Sequence, residues 1–532
     1  FSNGIGILLF FQMIIACAGN QEITINVDQA RYFDSVNGCD ENNGVSVETA
    51  WKSLGRLNEI TWQAGASINL KAGSEWPTAI ALKGSGSENK PILITSYGEG
   101  KAPLISGNNR EYTLKFENQQ YWEINNLEIC NYHESEEQIS LVEWEAKNNN
   151  YWAEGKELPQ DTASRSNKSA ILILAEDAGE LKHFHFSKLE IHGVNGDISD
   201  KDNGGMFFEI TGNKVPTWFS GILVEDCFIH DVDRSGISNR SSWNKRTLNS
   251  NTNWTPSQNI LIRNNVFERT GANALIIIVA ESPRVEYNLF DHCAIKQSGN
   301  ASFPFNCDNA LWQYNEARYT KYNVGDVDAG GFDSDYRCKN TVIQYNFSHD
   351  NEYGGVLVCC QGGSESRFNV GTQICYNIFA NNQHHVFRIS GKPDNTHIYN
   401  NVVYYAVDAN SAEIIWHKNW GAYPFNTYYS NNIFYSAKQK LSIDLASSQG
   451  NSFSDNLFWG EFKGDVPRDK MEEDPLFEIT NFRGTPPVEA FKIKWNSPAK
   501  NTGTHINTCP ELDFFGNKIQ DKTHPCIGVH NL

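Results

Sequence analysis

The chain has 532 residues, a net charge of −19 and a pI near 5.2. So acidic a balance argues against an electrostatic grip on nucleic acid and, short of a local basic groove, against a highly anionic polysaccharide. Its 14 tryptophans and 21 tyrosines suit a carbohydrate partner, whose rings need flat apolar faces beside hydrogen-bonding groups, although core packing also draws on them.

Residues 5–16, IGILLFFQMIIA, form an apolar run too short to span a bilayer and suited to the core of a signal peptide. The chain starts at Phe1 with neither Met nor a basic leader, which predicts a precursor that begins further upstream. Ile14-Ile15-Ala16-Cys17 resembles a bacterial lipoprotein cleavage box with Cys17 as the lipidated residue; ordinary cleavage after a small residue is the alternative. Both predict export to the periplasm or cell surface, with a membrane met only through a lipid anchor. The 12 cysteines include no CxxC pair, so metal-ligand spacing is absent. Cys130, Cys227 and Cys375 fall in apolar strands, where a thiol packs, and Cys509 with Cys526 is a candidate disulfide.

After a leader over 1–19, residues 20–106 read as an N-terminal cap with the first coils of a solenoid. RYFDSVNGCDENNG is turn-rich, VETAWKSLGRLNEI predicts a short amphipathic helix, and GASINLKAGSEW returns to strand. A solenoid's open end exposes core and unpaired strand edge, so a covering helix is expected there. Over 107–460 short strands recur: ILIRNNVF, RVEYNLF, TVIQYNF, TQICYNIF, THIYNNVV and TYYSNNIF alternate apolar with polar residues and are rich in Ile, Val, Tyr and Phe. Polar interruptions at 132–168 and 239–257, the second with Trp243 and Trp254, predict loops that wall a cleft. Residues 461–532 read as a C-terminal cap, with no independent second domain and a monomer as the expected state.

An asparagine or aspartate closes each strand unit, at Asn126, Asp226, Asn265, Asn288, Asn315, Asn346, Asn377, Asn401, Asn432 and Asn456. Subtracting neighbours from Asn265 onward gives spacings of 23, 27, 31, 31, 24, 31 and 24. Such a period marks a solenoid, in which one unit stacks on its copy because alone it cannot bury its apolar face. Asparagine tolerates the left-handed backbone of a tight corner, and stacked copies form a hydrogen-bond ladder. No apolar 3.6 period survives across the units, which excludes a helical solenoid. The fold predicted is an all-β, right-handed parallel β-helix with three strands per coil, a pectate lyase-like architecture.

The chemistry concentrates in GGFDSDYRCKNTVIQYNFSHDN, residues 330–351. Asp333 and Asp335 stand at i and i+2 of one strand, so they share a face, with Cα atoms about 6.5 Å apart. Two carboxylates cannot both face a dry core, which predicts the outer face. Asp326 and Asp328 precede them on a glycine-flexible loop. Three readings stay open: a glycosidase pair, whose carboxylates stand about 5–5.5 Å apart for retention or about 6.5–9.5 Å for inversion; a Ca²⁺ site at Asp326, Asp328, Asp333 and Asp335, as in a lyase with Arg388 as base; or solvated surface acids. Aligning copies of the Gly-led strand adds Arg240, Asp308, His385, Arg388, Glu413, Trp416 and His417 as candidate substrate contacts on one sheet, with His384 alongside and His349 at the corner beyond.

Tyr32–Gly44, Thr49-Ala50-Trp51-Lys52-Ser53-Leu54 and Gly65–Gly73 resemble the opening of secreted bacterial β-helix proteins of polysaccharide degradation. GGFDSDYRCKNTVIQYNFSHDNEYGGVLV, with DNALWQYNEA before it, resembles secreted β-helix glycoside hydrolases related to the family with α-L-fucosidase and xylanase activities. That resemblance implies catalysis by acidic residues without a cofactor, on a complex polysaccharide or oligosaccharide; a non-catalytic glycan-binding solenoid is the alternative from a different class. Its Phe-Asp-x-Asp signature falls on Phe332, Asp333 and Asp335; Asp328 is the candidate second acid, ahead of Asp308 and Glu413.

Overall fold

The computed structural model describes residues 25–132, 166–322, 328–409, 413–478 and 482–532. Cys17, the leader over 1–19, Asp326 and most of the first interruption lie outside these.

The described chain is a parallel β-helix. One coil consists of Val342–Gln344, Phe347–His349 and Val356–Cys360. Each of these pairs in parallel, in register, with its copy one coil on: Gln373–Cys375, Ile378–Ala380 and Phe387–Gly391. They define a first, second and third ladder that run from Ala30 to Gly464. Because a strand's side chains alternate, every second residue enters one continuous core. In the first ladder Ile262, Val285, Trp312, Ile343, Ile374, Ile398 and Tyr429 stack in one inward column.

The recurrent asparagine resolves into two adjacent positions with different duties. The left-handed corner is held by Asn264, Tyr287, Tyr314, Tyr345, Tyr376, Asn400, Asn431 and Asp455, with φ between 49° and 59°. The ladder is built by the next residue: Asn265, Asn288, Asn315, Asn346, Asn377, Asn401, Asn432 and Asn456 are all buried. In each step the Nδ2 donates to the next Oδ1 at 2.9–3.0 Å, with the spacings counted from the sequence. Asn126 and Asp226 belong to the corner position instead, at φ 55°. The corner tyrosines stack on one another outside the core, Tyr287 on Tyr314 and Tyr314 on Tyr345 at 4.9 Å.

The N-terminal cap carries two 3₁₀ turns, Val47–Thr49 and Leu54–Glu59, where one amphipathic helix is expected. Trp51 causes the break. Its N–H donates to Tyr32 O at 2.9 Å and it bridges Phe33 in parallel, so the chain is extended between the turns. In the tail, Phe477, Phe491, Ile493, Ile527 and Val529 pack on the outward side chains of the second ladder, among them Ile378, Val402 and Ile433. Cys509 and Cys526 carry free thiols in separate clusters, Cys509 beside Tyr376 and Cys526 beside Ile433, so the expected disulfide does not form. Cys130, Cys227 and Cys375 are buried thiols, as their apolar strands predict. The second interruption is an antiparallel hairpin, Asn244–Thr247 with Ser250–Trp254.

Candidate active site

The strand Phe332–Ser334 belongs to the third ladder, and alternation settles its faces. Phe332 enters the core, Ser334 is buried against Thr372 and Asn369, and Asp333 and Asp335 point outward. Glycines let this strand sit so close. A Cβ on Gly331 would lie 2.6 Å from Ser348 Oγ, and one on Gly355 2.6 Å from the Phe379 ring.

Outward does not mean exposed. Asp333 retains 4% of its accessible surface; Asn300 Nδ2 donates to its Oδ2 at 3.2 Å, while its Oδ1 is buried without a hydrogen-bond partner. Asp335 is half-buried, its Oδ1 accepting from Tyr336 N–H at 2.6 Å and the Cys359 thiol at 3.2 Å. Carboxylate oxygens of both aspartates and the Cys359 sulfur all lie within 4.8 Å of one another. Burial pushes the Asp333 carboxyl well above the ordinary carboxylate value; the charges of Asp335 and Asp328 act the same way, against Arg388 and the Asn300 amide. Burial also raises Asp335, against the Lys201 charge and the two hydrogen bonds. Cys359 is held as the thiol by burial and by the same two aspartates.

Register brings the cation. Asp333 pairs with Leu357, Leu357 with Arg388 and Arg388 with Trp416, forming one outward column. Arg388 is 5% exposed and makes an ion pair with Asp328, whose side chain is 39% exposed. Asp328 is fixed by its backbone carbonyl, which accepts from Gly299 N–H at 3.0 Å and Ser298 Oγ at 2.7 Å. Around these groups opens a cleft of about 340 Å³, walled further by Tyr336, Ser390, Lys418 and Trp420. Tyr336 and Trp420 meet edge to face at 5.4 Å. Beside the cleft, His385 stacks on Trp416 at 4.1 Å with Nδ1 2.9 Å from the exposed Glu413 carboxylate. Burial, then the Arg388, His384 and Lys418 charges, lowers His385 to about 3, leaving the ring neutral.

The structure therefore gathers Asp328, Asp333, Asp335 and Arg388 in the cleft, with His385, Glu413 and Trp416 alongside, and removes four other candidates. His417 faces inward, fully buried, between Ser448 Oγ and the Tyr429 hydroxyl. His349 lies in the second ladder, bonded to Asp350 at 2.7 Å and Glu316 at 3.2 Å. Asp308 bridges first-ladder strands and accepts from Arg246 at 2.7 Å. Arg240 does share the outward face of the third ladder, but several coils earlier, ion-paired with Asp202 and Glu209 in a separate recess. Sequence reasoning missed Cys359, Ser390, Lys418 and Trp420. The first three follow from the same register carried one or two residues further along each strand; Trp420 lies on a turn beyond the strand end, where the repeat gives no signal.

No family model matches the chain. It is 26% identical over 537 residues to a lacto-N-biosidase from Bifidobacterium longum subsp. longum, covering 87% of this chain. The chain spans 32% of that protein's length. Among solved structures it is similar to the native GH136 lacto-N-biosidase from Eubacterium ramulus, with a TM-score of 0.60 and 24% identity over 74% of this chain and 67% of that one. XylC in complex with xylose aligns with a TM-score of 0.50 and 12% identity over 94% of this chain and 98% of that one. These structural likenesses are likenesses of fold.

Proposed function

We propose that the chain is a glycoside hydrolase that cleaves an oligosaccharide in this cleft, with a lacto-N-biose unit as the part released. The observation that carries the reading is chemical. Two accessible carboxyl groups in different electrostatic settings, Asp335 in a buried acidic pocket and Asp328 on an arginine, converge on one cleft walled by tryptophan and tyrosine. Separating the states of two carboxyls in this way is how one site supplies both an acid and an anion. The similarity to a lacto-N-biosidase along 87% of the chain supports the substrate class.

In the reaction proposed, a sugar ring lies against Trp420. Asp335, whose proton burial holds more tightly than in water, gives that proton to the glycosidic oxygen as the bond to the anomeric carbon breaks. Asp328, oriented by Arg388, attacks that carbon and forms a glycosyl ester. Asp335, now ionised, takes a proton from water, whose oxygen displaces Asp328 and regenerates both groups. Asp333 is too buried to touch substrate and shapes the cleft beside Asp335. All these residues come from one chain.

The test uses Asp335→Asn and Asp328→Asn on a lacto-N-biose-containing tetrasaccharide and on the nitrophenyl glycoside of lacto-N-biose. Loss of the acid is expected to cost about 10²–10⁴-fold on the tetrasaccharide, and far less on the activated leaving group. Azide should restore the Asp335→Asn variant by replacing water. Asp328→Asn should be inactive on both substrates. Wild-type rates in either variant would sink the assignment. No step uses a cation, so chelation is expected to leave the rate unchanged. Loss restored by Ca²⁺, with unsaturated uronide products from an acidic polymer, would move the chain to the lyase reading with Arg388 as base. Export, suggested by the apolar run at 5–16, is checked by fractionating cells that express the precursor.

A further inference from the structure

The hairpin of Asn244–Thr247 with Ser250–Trp254, inserted between two ladder strands, drives one cation into the protein. Arg246, on its first strand, is 3% exposed with its side chain fully buried. A guanidinium carries five N–H donors in a fixed fork, and a dry site must satisfy them. Nε donates to Asn306 Oδ1 at 2.6 Å, Nη1 to Asp308 Oδ1 at 2.7 Å, and Nη2 to the Arg337 carbonyl. The plane lies over Trp254, 4.0 Å from the ring centroid.

The position of the acceptors gives this cross-link its meaning. Arg337 stands two residues past Asp335 and holds a left-handed φ of 59°, a conformation that a non-glycine residue keeps only when its surroundings impose it. Asn306 N–H donates to the Tyr336 carbonyl at 2.7 Å, and Asp335 N–H donates to the Pro304 carbonyl at 3.2 Å. Trp254 Nε1 donates to Asn306 O at 3.2 Å, and Asn306 Nδ2 returns to Asn244 O at 2.7 Å. Arg246 thus grips the turn at Arg337 directly and the Tyr336 backbone through Asn306.

We propose that Arg246 is a positioning residue of the cleft: the hairpin delivers it to lock the turn Asp335–Arg337, and it thereby aims the Asp335 carboxyl and the Tyr336 ring at the substrate. The inserted hairpin is then part of the catalytic apparatus, supplied from about ninety residues upstream of the turn it holds. The proposal rests on Asp335 being the acid.

The experiment measures kcat, KM and melting temperature for Arg246→Lys, which keeps the charge and loses the fork, alone and combined with Asp335→Asn. Lys245→Ala, on the exposed side of the same strand, is the control. A misplacement of about 1 Å costs on the order of 100-fold in rate. Arg246→Lys is therefore expected to lower kcat about 10–100-fold on the tetrasaccharide, with KM within about 2-fold. In the Asp335→Asn background the added loss should disappear, and on the nitrophenyl glycoside kcat/KM, which reports only the step whose leaving group needs no acid, should stay within about 2-fold. Asn306→Gly, which tolerates the φ of 57° and removes the Nε acceptor, repeats the test should Arg246→Lys not fold. An unchanged kcat in a folded variant, or the same loss with Asp335 already replaced, overturns the proposal. Full tetrasaccharide activity in Asp335→Asn alone would instead overturn the assignment of the acid, whatever Arg246→Lys shows.

Discussion

The asparagine ladder makes a stability prediction whose size is set by counting orphaned donors. Asn346 is fully buried in mid-ladder, and its Oδ1 accepts from Asn315 N–H at 2.9 Å and Asn315 Nδ2 at 3.0 Å. Its own Nδ2 donates to Asn377 Oδ1 and to the Trp312 and Gln344 carbonyls. Asn346→Ala leaves two Asn315 donors facing a void that water cannot readily enter. At about 1–3 kcal/mol for each buried group left unsatisfied, the loss is about 2–6 kcal/mol, a large share of a typical domain's 5–15 kcal/mol. At the upper end of the ladder, Asn265 Oδ1 accepts from one donor only, the Cys227 N–H at 3.0 Å. Asn265→Ala is therefore expected to cost about 1–3 kcal/mol. Urea unfolding read by tryptophan fluorescence compares the two totals. Hydrogen exchange at the Asn315 amide reads the local effect and should accelerate by about 100-fold or more, since each 1.4 kcal/mol is tenfold. Equal losses at the two positions, or a loss below about 1 kcal/mol at Asn346, would refute the view that the ladder is a cooperative hydrogen-bond array.

Three further outcomes follow from the cleft. Replacing Arg388 with Met strips Asp328 of its ion pair and its aim, so kcat/KM on the tetrasaccharide should fall about 10–100-fold; an unchanged rate would separate Arg388 from Asp328 function. Asp333 has its pKa raised on folding, so the folded chain holds this proton more tightly than the unfolded chain does. Its contribution is most favourable at low pH and is lost as pH rises from the ordinary carboxylate value toward the raised one. Asp333→Asn should accordingly melt above wild type at pH 7 and level with it near pH about 4, and a lower melting temperature at both would show that the carboxylate is structurally required. Trp420, 39% exposed, should raise KM about 10-fold when changed to Ala without altering thermal stability; unchanged KM would place the sugar elsewhere.

The fold was legible because a solenoid writes its rule repeatedly. The asparagine spacings in the sequence are the spacings of the hydrogen-bond ladder, and the Gly-led strands align as the structure pairs them, Phe332 with Val356, Val356 with Phe387 and Phe387 with Ile415. That register carried Arg388 and Trp416 to the site. Elsewhere the rule misled. His417 follows Trp416 directly and so faces the core, and Asp308 lies past the end of its third-ladder strand, at a bridge in the first ladder. Charge alone says only that two carboxylates take the outer face, because a dry core rejects them; it does not say how deeply that face is covered. The structure offers a third environment, an outward face roofed and walled by Tyr336, Trp420 and Leu357, in which carboxyl groups stay but are pushed toward their neutral forms. Nothing local in the sequence announces a wall made by residues tens of positions away.

The same comparison explains why the site sits where the repeat is least regular. Within the asparagine ladder each side chain is paired with its copy in the next coil, and a self-paired array has no group left to act on a substrate. Around Asp333 the column changes identity at every step: Phe303, Asp333, Leu357, Arg388 and Trp416 occupy successive coils, so acid, apolar, cationic and aromatic surfaces lie one strand spacing apart. At a strand spacing of about 4.8 Å, a column of unlike residues changes the chemistry of the cleft wall from one coil to the next. Asp333 Oδ1, buried and unpartnered, marks the cost of breaking the repeat, while the Asn346 ladder on another corner of the same coil supplies stability that does not depend on it. Combining Asn346→Ala with Asp333→Asn should therefore give additive changes in unfolding free energy, within about 0.5 kcal/mol, as expected for sites that share no partner. A coupling well beyond that would mean that the core transmits strain between ladder and cleft, and the division of labour argued here would fail.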